Sequence, residues 1–427
     1  LAKAGKDAAR VMMSLGRQVK DEALGAIGVA LRDNEAAIME ANLADIGAAR
    51  DAGVSAALLS RLRYDHKKLF ESLTILRALQ GLPDPSGIVR EARLLDDGLE
   101  LRRVSCPIGL IALVFESRPD ALVQMAGLAV KSGNAIIVKG GREAERTNRV
   151  LARVVAEAGQ SAGLPVGWLG AIETRAEVGE LLALDEYVDL IIPRGSNDFV
   201  HHIMEASRIP VLGHADGVCH VYIHTDADTD MAVNVTVDSK TQYPAACNTA
   251  EVLLVDRSVA PVVLPRVAQA LEAQGVALEL CPEAMDMLGP GPGRSLKNDT
   301  WSVEYLELRM AVMIVGSLEE AVTHINRYGS GHTDSIVTGS AEAASMFMAG
   351  VDSASVYHNA STRFADGYRY GLGAEVGIAT GKLHARGPMG LDGLMTYKWL
   401  LRGSGHLVAD YASGNRTFRH IDLPGGA

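Results

Sequence analysis

The 427 residues predict an α/β protein with two wound domains and a small β arm. Three patterns carry that prediction. Residues 1–80 are rich in Ala, Leu, Arg and Glu, and apolar side chains recur three and four apart (Val11, Leu15, Val19, then Ala26, Val29, Ala30), the period of a helix. Between 104 and about 225, short apolar runs alternate with helical segments, as parallel strands joined by crossover helices do. An Asp-Gly pair, Asp97-Gly98, separates two alternating segments, a strong hairpin signal.

In chain order, LPDPSG (82–87) ends the helical region. The hairpin IVREARLLDDGLELRRVS (88–105) follows, and Arg90, Arg93, Arg102 and Arg103 make it polar on one side. A surface hairpin and an arm towards another subunit both fit, and the arm is favoured. IGLIALVF (108–115) and NAIIVKGG (134–141) are apolar enough for buried parallel strands. Helical stretches ALVQMAGLAVKSG and EAERTNRVLARVVAEAGQSAG lie between and after them. VDLIIPRGS (188–196) and VCHVYIHTDA (218–227) read as further strands of the same series.

A second α/β unit begins near Met231. It holds QYPAACNTAEVLLV (242–255), a helix over 262–274, and GPGPGRS (289–295), a loop because it does not fit G-x-G-x-x-G. The helix EEAVTHINRYGSG, the strand SIVTG, the helix AEAASMFMAGV and a Gly-rich tail without a period complete the chain. The expected boundaries are 1–87 with 104–228 for a cofactor domain, 229–390 for a catalytic domain, and 88–103 with 391–427 for the arm.

Bulk properties exclude several classes. Acidic residues outnumber basic ones, 52 to 41, for a net charge of -11. A general nucleic-acid binder needs the opposite balance. Cys106, Cys219, Cys247 and Cys281 form no CxxC pair, which fits a reducing cytoplasm better than a disulfide scaffold. Charges from Lys3 to Glu22 interrupt any signal-peptide core, and no apolar run approaches the roughly 20 residues that span a bilayer. The chain opens on Leu1 rather than Met, so a few preceding residues are expected.

Cys247 poses the central chemical question. Tyr243-Pro244 enforces a turn, Ala245 and Ala246 leave room for a substrate, and the N–H groups of Cys247 and Asn248 are candidate oxyanion donors. Free cysteines are more often buried and inert, so these residues alone leave a packed thiol and a nucleophile both open. Lys139-Gly140-Gly141 ends one strand, and Pro193-Arg194-Gly195-Ser196 ends another before a helix. Either is an ordinary turn or a site for a nucleotide's ribose and phosphates.

The order of these pieces resembles the aldehyde dehydrogenase superfamily. The motifs are VFESRPD (114–120), NAIIVKGG, IPRGS (192–196), HADGVCHVYI (214–223), QYPAACNTAEVLLV, AVTHINRYGSGHTDSI (321–336), NASTRFADG (359–367) and YGLGAEVGIATGKLHARGPMGLDGLMTYKW (370–399). They span nearly the whole chain and are similar to the branch that reduces an acyl phosphate of glutamate. The resemblance implies a Rossmann-type cofactor domain, an α/β catalytic domain and an oligomerisation arm. It also implies a reaction: L-glutamyl 5-phosphate and NADPH give L-glutamate 5-semialdehyde, phosphate and NADP through a thioester on Cys247. An acyl-CoA or an aspartyl phosphate on the same fold is the alternative.

Departures from the wider superfamily make chemical sense. His214 stands where hydrolytic members carry the glutamate that activates water, and a reductase must spare its thioester. Ser117 in Glu-Ser-Arg-Pro is nearest the position of their oxyanion asparagine, which leaves Ser117 and Arg118 as candidate donors. Arg142 replaces the glutamate that binds ribose hydroxyls in NAD-preferring members. A guanidinium can fork onto a 2′-phosphate, which favours NADPH, although a solvated helix-start arginine also fits. Lys139, Gly140, Gly141, Gly195, Ser196 and, by a looser match, Glu304 are the implied cofactor contacts. Arg118, Arg363 and Asn359 are the implied substrate contacts, with His384 and Arg386 as further candidates. A homodimer or homotetramer follows from the arm, and a glutamate 5-kinase is a candidate partner.

Two readings compete. His201, His202, His214, Cys219, His220 and His224 cluster, but their spacing matches no compact zinc site, so no metal is expected. A fold that has lost catalysis and serves interaction alone is disfavoured by the intact Cys247, Lys139 and ESRPD.

Overall fold

The computed structural model describes all residues except 214–215, 292, 297–300, 373–374, 376 and 425–427. The chain forms two compact units, residues 1–212 with 372–377 and 389–427, and residues 213–371 with 378–388.

The first unit opens with helices α1 (Ala2–Met12), α2 (Arg17–Asp33), α3 (Glu35–Asp51), α4 (Ala56–Leu62) and α5 (His66–Gly81). Their buried stripe is not the one the periodicity suggested. Val11 and Val29 are exposed, while Ala23, Leu24, Ile27 and Leu31 of α2 are fully buried at helical spacing. The chain leaves the helix after Met12 and restarts at the Gly16 cap, which resets the helical phase.

A hairpin follows, β1 (Val89–Asp96) and β2 (Leu99–Pro107), with Gly98 at φ +75° in its turn. Only glycine takes that backbone readily. The tail, aperiodic in sequence, supplies both outer strands of this antiparallel sheet. Met395–Arg402 pairs with β2 and Ile421–Leu423 pairs with β1.

Four parallel strands form the unit's second sheet: β3 (Leu110–Phe115), β4 (Ala135–Lys139), β5 (Leu169–Ala171) and β6 (Leu190–Arg194). Helices α6 (Asp120–Ser132), α7 (Glu145–Ser161), α8 (Arg175–Leu181) and α9 (Asn197–Ala206) intervene or follow. The spatial order is β5-β4-β3-β6. All six residues of β3 are buried, which explains its unbroken apolar run. The chain moves outward from β3 to β5 and then returns to β3's other side as β6. Connections diverge there, and ligands of wound sheets bind at the carboxyl ends of strands at such a point.

The second unit is a seven-stranded sheet in the order β10-β9-β11-β8-β7-β12-β13. In chain order its elements are β7 (Cys219–Ile223), α10 (Thr229–Thr241), β8 (Ala250–Asp256), α11 (Ala260–Ala273), β9 (Ala277–Leu280), α12 (Pro282–Leu288), β10 (Arg294–Ser295), β11 (Arg309–Val315), α13 (Leu318–Tyr328), β12 (Thr333–Val337), α14 (Ala341–Gly350) and β13 (Ser355–His358). Strand 219–223, read from sequence as continuing the first series, lies here between β8 and β12. An apolar run announces a buried strand but not its neighbour. The neighbour is set by partners such as Asp334 on β12, whose carboxylate accepts the His220 N–H at 2.7 Å. The short β10 falls within the stretch read as a loop. Val221, Tyr222, Leu253, Leu254, Val312 and Ile336 are central to the unit's core.

Candidate active site

Cys247 lies in the connection 242–249 between α10 and β8. Tight turns fix it. The Ala246 N–H donates to the Tyr243 carbonyl at 3.2 Å, and the Thr249 N–H to the Ala246 carbonyl at 2.9 Å. The Thr249 hydroxyl donates to the Tyr243 carbonyl at 2.7 Å. Cys247 is a partly buried free thiol. Among the described residues, the N–H groups of Cys247 and Asn248 have no backbone acceptor. Consecutive open donors beside a thiol suit a tetrahedral oxyanion.

Three neighbours set this turn. A Cβ on Gly217 would lie 2.1 Å from the Cys247 carbonyl oxygen, 2.5 Å from its Cα and 2.6 Å from a Glu304 carboxylate oxygen. The stretch before β7, the Cys247 turn and Glu304 therefore meet where only glycine fits. Behind the turn, the Cys219 thiol donates to the Cys247 carbonyl at 3.3 Å. Burial, with the charge of Asp334, pushes the Cys219 thiol well above its usual range, so it stays a protonated donor. In front, the Asn248 side-chain amide donates to the Ala365 carbonyl at 2.7 Å, tying the turn to the loop that carries Arg363.

Arg363 is only 8% exposed. Its Nε donates to Gln242 Oε1 at 2.9 Å, and its guanidinium lies 5.8 Å from the Tyr243 ring centroid. Burial and then the charge of Arg369 press its pKa down, while Cys247 opposes them. A guanidinium stays charged even so. Asn359, expected at the substrate, is otherwise engaged. At φ +56° its side-chain carbonyl accepts the Thr338 N–H and its amide donates to the Thr338 carbonyl, both at 2.9 Å. It shapes the loop. Arg386 is taken up by Asp352, at 2.9 Å to the carbonyl and 3.1 Å to the carboxylate.

The GHTDSI segment braces the same loop. The Ser335 hydroxyl donates to the Ala360 carbonyl at 2.7 Å, and the Asn359 N–H donates to the Ile336 carbonyl at 2.8 Å. His220 Nδ1 lies 2.8 Å from Asp334, and His224 Nδ1 lies 2.9 Å from the Thr338 hydroxyl. His214 lies outside the described residues. Among those described, no three His, Cys, Asp or Glu side chains are grouped to hold a metal ion.

In the first unit, the ends of β3, β4 and β6 bring the expected cofactor residues to one sheet edge. Val114 registers with Lys139, and Phe115 with Arg194. A Cβ on Gly140 would lie 1.9 Å from Asn148 Nδ2, and one on Gly141 would lie 2.0 Å from Glu143 Oε1. Arg142 is exposed on the 3-10 turn that leads into α7. Ser196 caps α9, and its N–H donates to Glu116 Oε2 at 2.9 Å. A carboxylate thus rests where a phosphate was expected. Ser117 differs from the oxyanion-donor reading. Its N–H and its hydroxyl both donate to Glu143 Oε1 at 2.6 Å, so both donors are engaged. Arg118 is half-exposed and pairs with Asp120 at 3.6 Å.

Sequence reasoning missed Gly217, Gln242, Glu116 and Glu143. All four fall inside or beside quoted motifs. Nothing in local spacing shows that Glu116 reaches Ser196, or that Gly217 touches Cys247.

Comparison with known proteins gives the family and the fold. Residues 104–287 match the aldehyde dehydrogenase family. A gamma-glutamyl phosphate reductase of Pelotomaculum thermopropionicum is 51% identical over 98% of this chain and 96% of its own length. The crystal structure of a gamma-glutamyl phosphate reductase from Thermotoga maritima superposes with a TM-score of 0.92 at 37% identity, covering 95% of this chain and 98% of that one. A glyceraldehyde-3-phosphate dehydrogenase from Methanocaldococcus jannaschii, solved with NADP, shares the fold at a TM-score of 0.63 and 16% identity, over 94% of this chain and 93% of its own.

Proposed function

Because the chain belongs to the gamma-glutamyl phosphate reductase family, we propose that it reduces L-glutamyl 5-phosphate to L-glutamate 5-semialdehyde with NADPH, releasing phosphate, in proline biosynthesis. The observation that carries this is the Cys247 turn, with two open N–H donors and a buried guanidinium beside it.

Arg363 attracts the anionic substrate, with Arg118 as a second cation, and Cys247 reacts as its thiolate. The sulfur attacks the acyl carbon, the C–O bond to phosphate breaks, and a thioester forms. Phosphate is a good leaving group and needs no strong acid. The Cys247 and Asn248 N–H groups stabilise the oxyanion. NADPH, when bound, supplies a hydride to the acyl carbon. The resulting thiohemiacetal collapses to the aldehyde and returns the thiolate.

The residues present fit such a cofactor. Gly140, Gly141 and Gly195 let Asn148, Glu143 and Glu116 pack closely against the backbone at this sheet edge, and exposed Arg142 offers a fork for a 2′-phosphate. Lys139 and Ser196 would hold ribose and phosphate, and Glu304 the second ribose. Glu116 must leave the Ser196 N–H for a phosphate to take it.

We also assign the antiparallel arm to self-association as a homodimer or homotetramer. The reaction belongs in a reducing cytoplasm, in keeping with four free cysteines, and a glutamate 5-kinase would supply the labile acyl phosphate.

The test is the reverse reaction. Glutamate 5-semialdehyde, phosphate and NADP should give absorbance in the reduced-nicotinamide band, more weakly with NAD, and not with Cys247→Ala. Signal only with CoA in place of phosphate would reassign the substrate class. Undiminished turnover by Cys247→Ala would remove the mechanism.

A further inference from the structure

We infer that the buried Lys240–Glu251 ion pair is a positioning element for the reaction, holding the Cys247 turn against Glu304. This rests on the roles of Cys247 and Glu304 proposed above.

Lys240 is the penultimate residue of α10 and Glu251 the second of β8, so the pair closes both ends of the turn that carries Cys247. Nζ lies 2.6 Å from Glu251 Oε2, and both side chains are 0% exposed. Burial pushes the Glu251 carboxyl up to about 7 and the Lys240 ammonium down, and each is then partly restored by the other. Such a pair is a poor device for stability alone. Two desolvated charges regain little net energy, and apolar residues of similar volume often serve as well.

The second Glu251 oxygen shows what the pair does instead. Oε1 accepts the N–H of Leu306 at 3.4 Å. Leu306 stands at φ +54°, a left-handed conformation that a leucine adopts only when its surroundings impose it. Two residues before it is Glu304, whose carboxylate crowds Gly217 together with the Cys247 main chain. One carboxylate thus links the helix before the turn, the strand after it and the segment that presents Glu304. The charges of Glu304 and Glu307 also act on this pair.

The decisive variant combines Lys240→Met with Glu251→Gln, removing both charges at nearly constant volume. The expected result is a folded protein, by circular dichroism and thermal midpoint, in which kcat per folded molecule falls roughly ten- to hundred-fold through misplacement of reacting groups. The KM for NADPH should rise with it. Glu251→Asp, which keeps the charge but shortens the arm, should lie between this variant and the parent. A double variant with parental kcat and KM would overturn the proposal. So would one that fails to fold, because the pair would then be doing structural work. Cys247→Ala measured in parallel separates the two readings. If it is inactive while the double variant turns over normally, the nucleophile stands and only the positioning role falls.

Discussion

Gly217 has no room for a methyl group. A Cβ there would sit 2.1 Å from the Cys247 carbonyl oxygen, a main-chain atom that cannot swing aside as a side-chain tip can. Gly217→Ala must therefore move the Cys247 turn or the stretch before β7. We predict a loss in kcat of about a hundredfold or more, the scale expected for ångström-level displacement of a reacting group, with little change in far-ultraviolet circular dichroism. Parental kcat in this variant would show that the turn tolerates displacement. Arg363 makes a second residue-scale prediction. Its Nε holds Gln242 at the start of the Cys247 turn, so Arg363→Met should lower kcat/KM for the anionic acyl phosphate by about tenfold, equivalent to ~1.4 kcal/mol, with the fold retained. An unchanged kcat/KM would mean that neither the turn nor the substrate depends on this cation. Cys247 and Arg363 were both legible in the sequence because they sit in compact motifs. Gly217 was not, since its partner lies thirty residues away and its only sign is a missing side chain.

Helix α13 carries a buried histidine with no role in the chemistry. His324 packs edge-on against Trp301 and His220 and tilted against Tyr328, and among the described residues its Nε2 has no hydrogen-bond partner. Burial, then the charge of His220, lowers its pKa to about 3. The unfolded chain takes up this proton near pH 6.5, while the folded one resists to about pH 3. The unfolded state thus binds more protons across that window, and stability is full above pH 6.5 and falls as the pH drops. The ceiling is roughly 4–5 kcal/mol, since each pH unit of that window contributes about 1.4 kcal/mol. His324→Leu should flatten the acid limb of thermal stability between those values, and an unchanged limb would place the sensitivity elsewhere. Legibility differs among elements for a related reason. Strands such as β3 and β8 bury every residue and announce themselves as apolar runs. Strand β7 announces itself equally well but carries no sign of its sheet, because neighbours are chosen by distant partners such as Asp334. The strand Met395–Arg402 has one buried residue of eight, so burial gave the tail no pattern to read.

That strand makes the prediction for the whole molecule. It lies at the edge of the antiparallel sheet in the order given by its pairing with β2, so among the described residues its outer side meets no further strand. Tyr397, Trp399 and Leu401 alternate along it and are 52%, 51% and 58% exposed. Alternate residues of a strand share one face, so these three form an apolar row beside an open edge. Proteins usually blunt such edges with charge, proline or a short strand, and an edge left long and apolar invites another chain. Lys398 and Arg402 interrupt the sequence but fall on the opposite face. The arm therefore suits a partner of its own kind, as the proposed oligomer requires. Trp399→Lys with Leu401→Lys would place two positive charges in that row. By sedimentation the parent should run as a dimer or tetramer and the variant at a smaller mass, with its midpoint of thermal unfolding lowered because partner binding no longer stabilises the folded chain. Equal masses for parent and variant would remove the arm from the assembly.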